Sequence, residues 1–156
     1  MKTAHSDISL FMRLEPDVPK LTHQNGIKTR VVNGHPQVYK TPELRNLEAK
    51  FISLLKPYAP DEPWDCPINL VTFWYFRMPK KFKKYPLRSP DTYDEQYWKT
   101  TKPDTENLLK TLKDCMQRIG FFADDACVCL DTIGKVYVPE DKPHGILIRI
   151  HDLMQK

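Results

Sequence analysis

Lys102-Pro-Asp-Thr-Glu-Asn-Leu-Leu-Lys-Thr-Leu-Lys-Asp114, followed shortly by Gly120-Phe121 and Asp124-Asp125, is the stretch from which the rest of the chain can be organised. Leu108, Leu109, Leu112, Cys115 and Met116 recur at helical spacing and form an apolar stripe. Asn107, Lys110 and Asp114 repeat at i, i+3 and i+7 and project from the opposite face. The pattern predicts an amphipathic helix over about 105 to 118, with Asp104 and Glu106 at its start and Gly120 as its stop signal. Asp104, Glu106, Asp114, Asp124 and Asp125, together with Lys110, are the residue types that hold magnesium and face phosphate, because magnesium takes hard oxygen ligands. A second use of the same residues stands beside this one: Asp104 caps the helix, Glu106 complements its dipole and pairs with Lys110, and Asp124-Asp125 makes a polar turn. A helix of about 14 residues is about 21 Å long, so spacing alone leaves the acids at opposite ends. They converge only if the following strand runs back along the helix, if the turn folds toward its start, or if a second subunit supplies an acid.

Outward from this segment, the pattern is that of one α+β domain. Ile8, Leu10, Met12 and Leu14 alternate with Ser9, Phe11 and Arg13, which predicts a first strand. A polar loop with Pro16, Pro19, Asn25 and Gly26 carries Lys20, Lys28 and Arg30, and Asn33-Gly34 marks a tight turn between two extended pieces. Thr41-Pro42-Glu43 reads as an N-cap, an N1 proline and a first-turn acid. It opens a helix whose stripe is Leu44, Leu47, Phe51 and Leu54 and whose end falls near Lys56-Pro57. Residues 60–67 are a proline-rich connector, and Ile68–Phe76 is the strongest β run, a central strand. Beyond the second helix, 126–133 reads as a strand, 135–138 as extended and 146–150 as a last strand.

At 156 residues with 40% hydrophobic content, the chain is expected to form a single domain over 1–156. The net charge of +4 is unevenly spread: Arg77, Lys80, Lys81, Lys83, Lys84 and Arg88 cluster with no acid between them and with Phe82 and Tyr85 interleaved. Such a run suits a polyanion, or else it is a solvated loop. Residues 77–101 look irregular and long for a connection. Cys66, Cys115, Cys127 and Cys129 lack zinc-ligand spacing. They are expected to be reduced, and Cys127 and Cys129 to share a buried strand face. No apolar run approaches the roughly 20 residues of a membrane span, so a soluble, cytoplasmic protein is expected.

The order Asp104-x-Glu106-Asn107-Leu-x-Lys110-x-x-x-Asp114, then Gly120-Phe121, Asp124-Asp125 and Lys135, resembles the core of the RusA-type Holliday junction resolvases. That family carries Asp-x-Asp-Asn-Leu-x-Lys-x-x-x-Asp, a Gly-aromatic turn, an Asp-Asp pair and a lysine after the next strand. The likeness is strong over about 104–150, weaker over 8–56 and absent from about 77–101, where the chain carries an insertion. It implies a RusA-like fold, a small mixed sheet with two main helices packed on it. It also implies a magnesium-dependent (or manganese-dependent) homodimeric endodeoxyribonuclease that cuts branched DNA by paired symmetric nicks, in a bacterial or phage-infected cell. Carried across, Asp104, Glu106 and Asp125 are the catalytic, metal-binding carboxylates and Lys110 the catalytic cation. Asn107, Asp114 and Asp124 are supporting, and Arg77, Lys80, Lys81, Lys83, Lys84, Arg88 and Lys135 contact DNA. The chief departure is Glu106, where the family has aspartate, since the added methylene moves the carboxylate by about 1 Å. It raises the rival expectation of a junction-binding accessory protein of recombination or replication that cuts weakly or not at all.

Overall fold

The computed structural model describes residues 5–80 and 97–155. The run that reads most strongly as a strand, Ile68–Arg77 (β4), lies at the centre of a five-stranded mixed sheet. β1 (Ile8–Arg13) and β7 (Gly145–Asp152) lie on one side of it, and β6 (Val128–Val138) and the two-residue β5 (Tyr97–Trp98) on the other. β4 is antiparallel to β7 and parallel to β6. A parallel pair needs a crossover connection, and here its helix is α3 (Thr105–Arg118). The predicted fold class is therefore present: a small α+β domain with a mixed sheet and two main helices, α3 and α2 (Pro42–Leu55).

Alternation decides which sheet face is covered. Ile68, Leu70, Thr72, Trp74 and Phe76 of β4 are buried, and they join Leu47, Phe51 and Leu55 of α2 and Leu108, Leu112 and Cys115 of α3 in the interior. The Phe51 and Trp74 rings meet edge-on at 6.5 Å. The apolar stripe of α2 ends in Leu55, which is fully buried, whereas the expected Leu54 is only partly covered. Thr41 caps α2 as read, its hydroxyl accepting from the Leu44 amide at 3.3 Å. On the other face Phe11 packs against Tyr75, with ring centroids 6.0 Å apart.

β2 (Ile27–Val32) and β3 (His35–Lys40) form a separate two-stranded ribbon. Its turn uses Asn33 and Gly34 with φ of 52° and 78°, as the Asn-Gly pair predicts. A short helix α1 (His23–Gly26), unread in the sequence, roots the ribbon on α3: the His23 amide donates to the Thr111 hydroxyl at 3.0 Å. The buried Glu48 ties three elements together, accepting from Lys40 at 2.8 Å and from Arg118 at 3.1 Å.

Three sequence readings need correction. The stretches read as separate pieces at 126–133 and 135–138 are one strand, β6, preceded by a 3-10 turn at Asp125–Cys127. Cys127 and Cys129 therefore do not share a buried strand face, because Cys127 closes the turn half-buried and Cys129 is exposed. The irregular span read at 77–101 is also shorter at both ends, since Arg77 belongs to β4 and Tyr97–Trp98 pairs with Tyr137 and Val136. Among the described residues no helix is long and apolar enough to cross a membrane.

Candidate active-site groove

α3 is stopped by Gly120, whose φ of 87° suits a residue without a side chain. The chain is then turned around Trp64, a buried residue inside the supposed connector. The Trp64 amide donates to the Phe121 carbonyl at 3.1 Å, and the Ala123 amide donates back to the Trp64 carbonyl at 3.0 Å. The turn sends β6 back along α3, one of the three routes by which the acids could be drawn together. Gln117 in the last turn of α3 receives the Asp125 amide at 3.2 Å, and Asp124 receives the Ala126 amide at 2.8 Å. Asp124 is thus spent on shaping the turn, and Asp125 follows it into solvent.

The outcome is an open groove of about 420 Å³, lined by Glu106, Lys110, Lys113, Asp114, Asp125 and Asp131 above an apolar floor of Leu109 and Ile133. Four of the lining groups are carboxylates and two are ammonium groups. Glu106 stands in the first turn of α3 and Asp125 beyond its last, so the groove follows the helix rather than closing on a point. Among the described residues no three His, Cys, Asp or Glu side chains are gathered into a set that could hold a metal ion. The chemistry of the lining nonetheless suits a hard divalent cation, since every acidic donor is oxygen and no imidazole or thiol lines the groove.

Asp104 takes the N-cap position of α3, but its carboxylate does not cap the helix and instead lies 3.4 Å from Lys102, outside the groove lining. Among the described residues Glu106 and Lys110 form no ion pair, although both line the groove. Asn107 turns away from the groove and donates to Gln24 of α1 at 2.8 Å, which secures the ribbon's root to α3.

Asp131 and Lys113 are charged groove residues that sequence reading missed, and Asp131 is the less expected of the two. Leu70 of β4 pairs with it, so the two share the helix-covered face of the sheet. Its direction depends on a bulge: Ile68 pairs with Val128 but Asn69 pairs with Leu130, leaving Cys129 extra. One added residue reverses the parity of the strand beyond it. Asp131, Ile133, Lys135 and Tyr137 are thereby aimed at the α3 side. No residue type in the sequence announces that bulge.

Of the basic residues, Arg77 pairs with Glu140. Lys80 closes the described segment, while Lys81, Lys83, Lys84 and Arg88 lie outside the described residues, as do Phe82 and Tyr85. Trp98 is exposed. Lys135 donates from its ammonium to the carbonyls of Thr101 at 2.6 Å and Pro103 at 2.8 Å. Burial, followed by the charge of neighbouring Lys99, holds its pKa below the usual lysine value.

With this geometry in hand, the chain matches the family Endodeoxyribonuclease RusA over residues 16–151. It is also 27% identical over 114 residues to a protein of Lactococcus phage r1t named "Crossover junction endodeoxyribonuclease rusA", an alignment covering 70% of this chain and 73% of that protein. Nucleases of the RusA type generally depend on a divalent metal. A match that takes in the ribbon, both main helices, β4, β6 and nearly all of β7 leaves one conclusion: the chain belongs to the endodeoxyribonuclease RusA family and is a nuclease.

Proposed function

We propose that this nuclease resolves four-way DNA junctions by paired symmetric nicks, as a homodimer that depends on magnesium. The observation that carries the reading is the acid-lined groove with its two lysines, on a chain whose phage relative is named for crossover junctions. A two-fold assembly suits a two-fold substrate, because each subunit then meets an equivalent strand. The unit that acts is the whole chain, 1–156, with an insertion over about 77–101. Its place of action is the cytoplasm of a bacterial or phage-infected cell, where branched DNA arises.

Asp104, Glu106 and Asp125 are the carboxylates we assign to the metal, with Asp124 and Asp114 supporting them. When bound, the cation supplies Lewis-acid polarisation of the phosphodiester and lowers the pKa of a water nucleophile. The chain's own contribution is orientation and charge. Lys110 faces the groove and offsets the charge that develops on the phosphate oxygens during in-line displacement. Asn107 holds the α3 start against α1. The basic residues of 77–88 meet backbone phosphates, giving affinity that falls steeply with salt and carries little base information.

The test is a labelled four-way junction incubated with the purified protein in magnesium and in EDTA. Symmetric nicks that require the metal and disappear in Asp104→Asn support the reading. Tight binding without cleavage under any metal condition, or indifference to junction structure, overturns it.

A further inference from the structure

Two lysines sit behind Asp104, and neither reaches into the groove. Lys135 donates to the carbonyls of Thr101 and Pro103, so its ammonium grips the backbone up to the residue before Asp104. Lys99 is only 4% exposed. Its amide donates to the Lys135 carbonyl at 3.0 Å. Its ammonium donates to the Thr101 hydroxyl at 2.6 Å and to the Tyr137 hydroxyl at 3.3 Å, and lies about 5 Å from the ring centres of Phe76 (5.2 Å) and Tyr137 (5.1 Å). Thr101 and Tyr137 complete the set, with their hydroxyls 3.1 Å apart. Burying an ammonium against rings and hydroxyls is unfavourable unless the contacts are well placed. Here the contacts converge on one short segment, 99–103, and fasten it to β6.

That segment matters because Asp104 has no cap bond to fix it. The Asp104 carbonyl accepts the Leu108 amide at 3.1 Å, which sets where the helix begins, and the lysine contacts set how the chain arrives there. We infer that Lys135 and Lys99, with Tyr137 and Thr101, are positioning residues for cleavage: they hold the backbone that presents Asp104, and Lys135 is not a DNA-phosphate ligand. The inference rests on reading Asp104 as a catalytic carboxylate. A site whose supporting shell is loosened by about 1 Å loses on the order of 100-fold in rate while its binding surface stays intact.

The experiment compares the full chain with Lys135→Met, Lys135→Arg, Lys99→Met and Tyr137→Phe, keeping Asp104→Asn as reference. Cleavage of a four-way junction is measured under single turnover at saturating protein, and junction affinity is measured in EDTA across a salt series. Lys135→Met is expected to cleave roughly 10- to 100-fold more slowly, with affinity and salt slope unchanged, and Lys135→Arg to recover part of the rate. A loss of affinity with a salt slope lower by about one, at an unchanged saturated rate, is the signature of a phosphate contact and overturns the proposal. If Asp104→Asn is inactive while Lys135→Met and Tyr137→Phe cleave at the native rate, the positioning role falls and the proposed site stands. If Asp104→Asn cleaves normally, both fall. Should Lys135→Met fail to fold, Tyr137→Phe and Thr101→Ala each remove one hydroxyl from the set around Lys99 and are expected to lower the saturated rate about fivefold; native rates in both overturn the role.

Discussion

Asp131 and Lys113 face each other across the groove, carboxylate oxygen to ammonium nitrogen 3.5 Å apart, one carried by β6 and the other by α3. The pair offsets one of the groove's two positive charges and leaves Lys110 as the groove lysine with no ion pair among the described residues. Replacing Asp131 with Asn removes one negative charge from a solvated groove. A nearby unit charge there is worth on the order of 0.7 kcal/mol, about threefold in an equilibrium constant. The magnesium concentration for half-maximal cleavage should therefore rise about threefold, while junction affinity in EDTA should increase. Metal titration of cleavage and fluorescence anisotropy measure the two.

Glu106 lines the groove from the first turn of α3, exposed and with no hydrogen bond restraining it among the described residues. Its longer side chain can reach from a different angle than an aspartate, so the departure from the family pattern is compatible with activity. Glu106→Gln, isosteric and uncharged, is expected to slow single-turnover cleavage by on the order of 100-fold. Glu106→Asp should stay within about tenfold of the native rate.

Glu48 concerns stability rather than chemistry. Its carboxylate is almost wholly buried, and its partners Lys40 and Arg118 remain partly in water. Breaking a buried pair is severe when it strands a buried charge, but here the two cations can be hydrated. Glu48→Ala should cost about 2 kcal/mol, and Lys40→Ala or Arg118→Ala each below about 1 kcal/mol. Urea unfolding at constant m-value provides the measurement.

The thiols should report the fold directly. Burial, with the nearby Glu48 charge, pushes the Cys115 thiol up to about 11. Its thiolate is therefore scarce at neutral pH, and raising the pH toward 9 should speed its reaction little. Cys129 stands exposed at the bulge and Cys127 half-exposed beside it. A thiol-reactive dye at pH 7.5 should label Cys129 first and Cys127 more slowly, with Cys66 and Cys115 reacting on unfolding. Mass mapping of the labelled peptides reads the order, and early labelling of Cys115 would contradict the packing of α3.

How much of this could be read in advance follows from the range of each interaction. Both main helices announced themselves through local signals: Thr41-Pro42-Glu43 at one start, and the stripe from Leu108 to Met116 with Gly120 at the other end. β4 was equally plain because its residues are β-branched, aromatic or leucine almost throughout. Asp131 was invisible for the opposite reason, since its direction is set by the mispairing of Ile68 and Asn69 with a distant strand. Lys99 carries no local signal, because its surroundings are made by Phe76 and Tyr137 from two different strands. Trp64 was hidden by its prolines, although it holds the turn that brings β6 back.

β5 is only two residues long, yet it returns the chain to β6 immediately before the entry to α3. Whatever stands between Lys80 and Tyr97, the path to Asp104 is set anew from Tyr97 onward. On the proposed assignment of the site, additions or deletions upstream of that clasp would leave the position of Asp104 unchanged. On that assignment, substrate preference and cutting chemistry would diversify independently, as on a tool whose grip is exchanged while its blade stays seated.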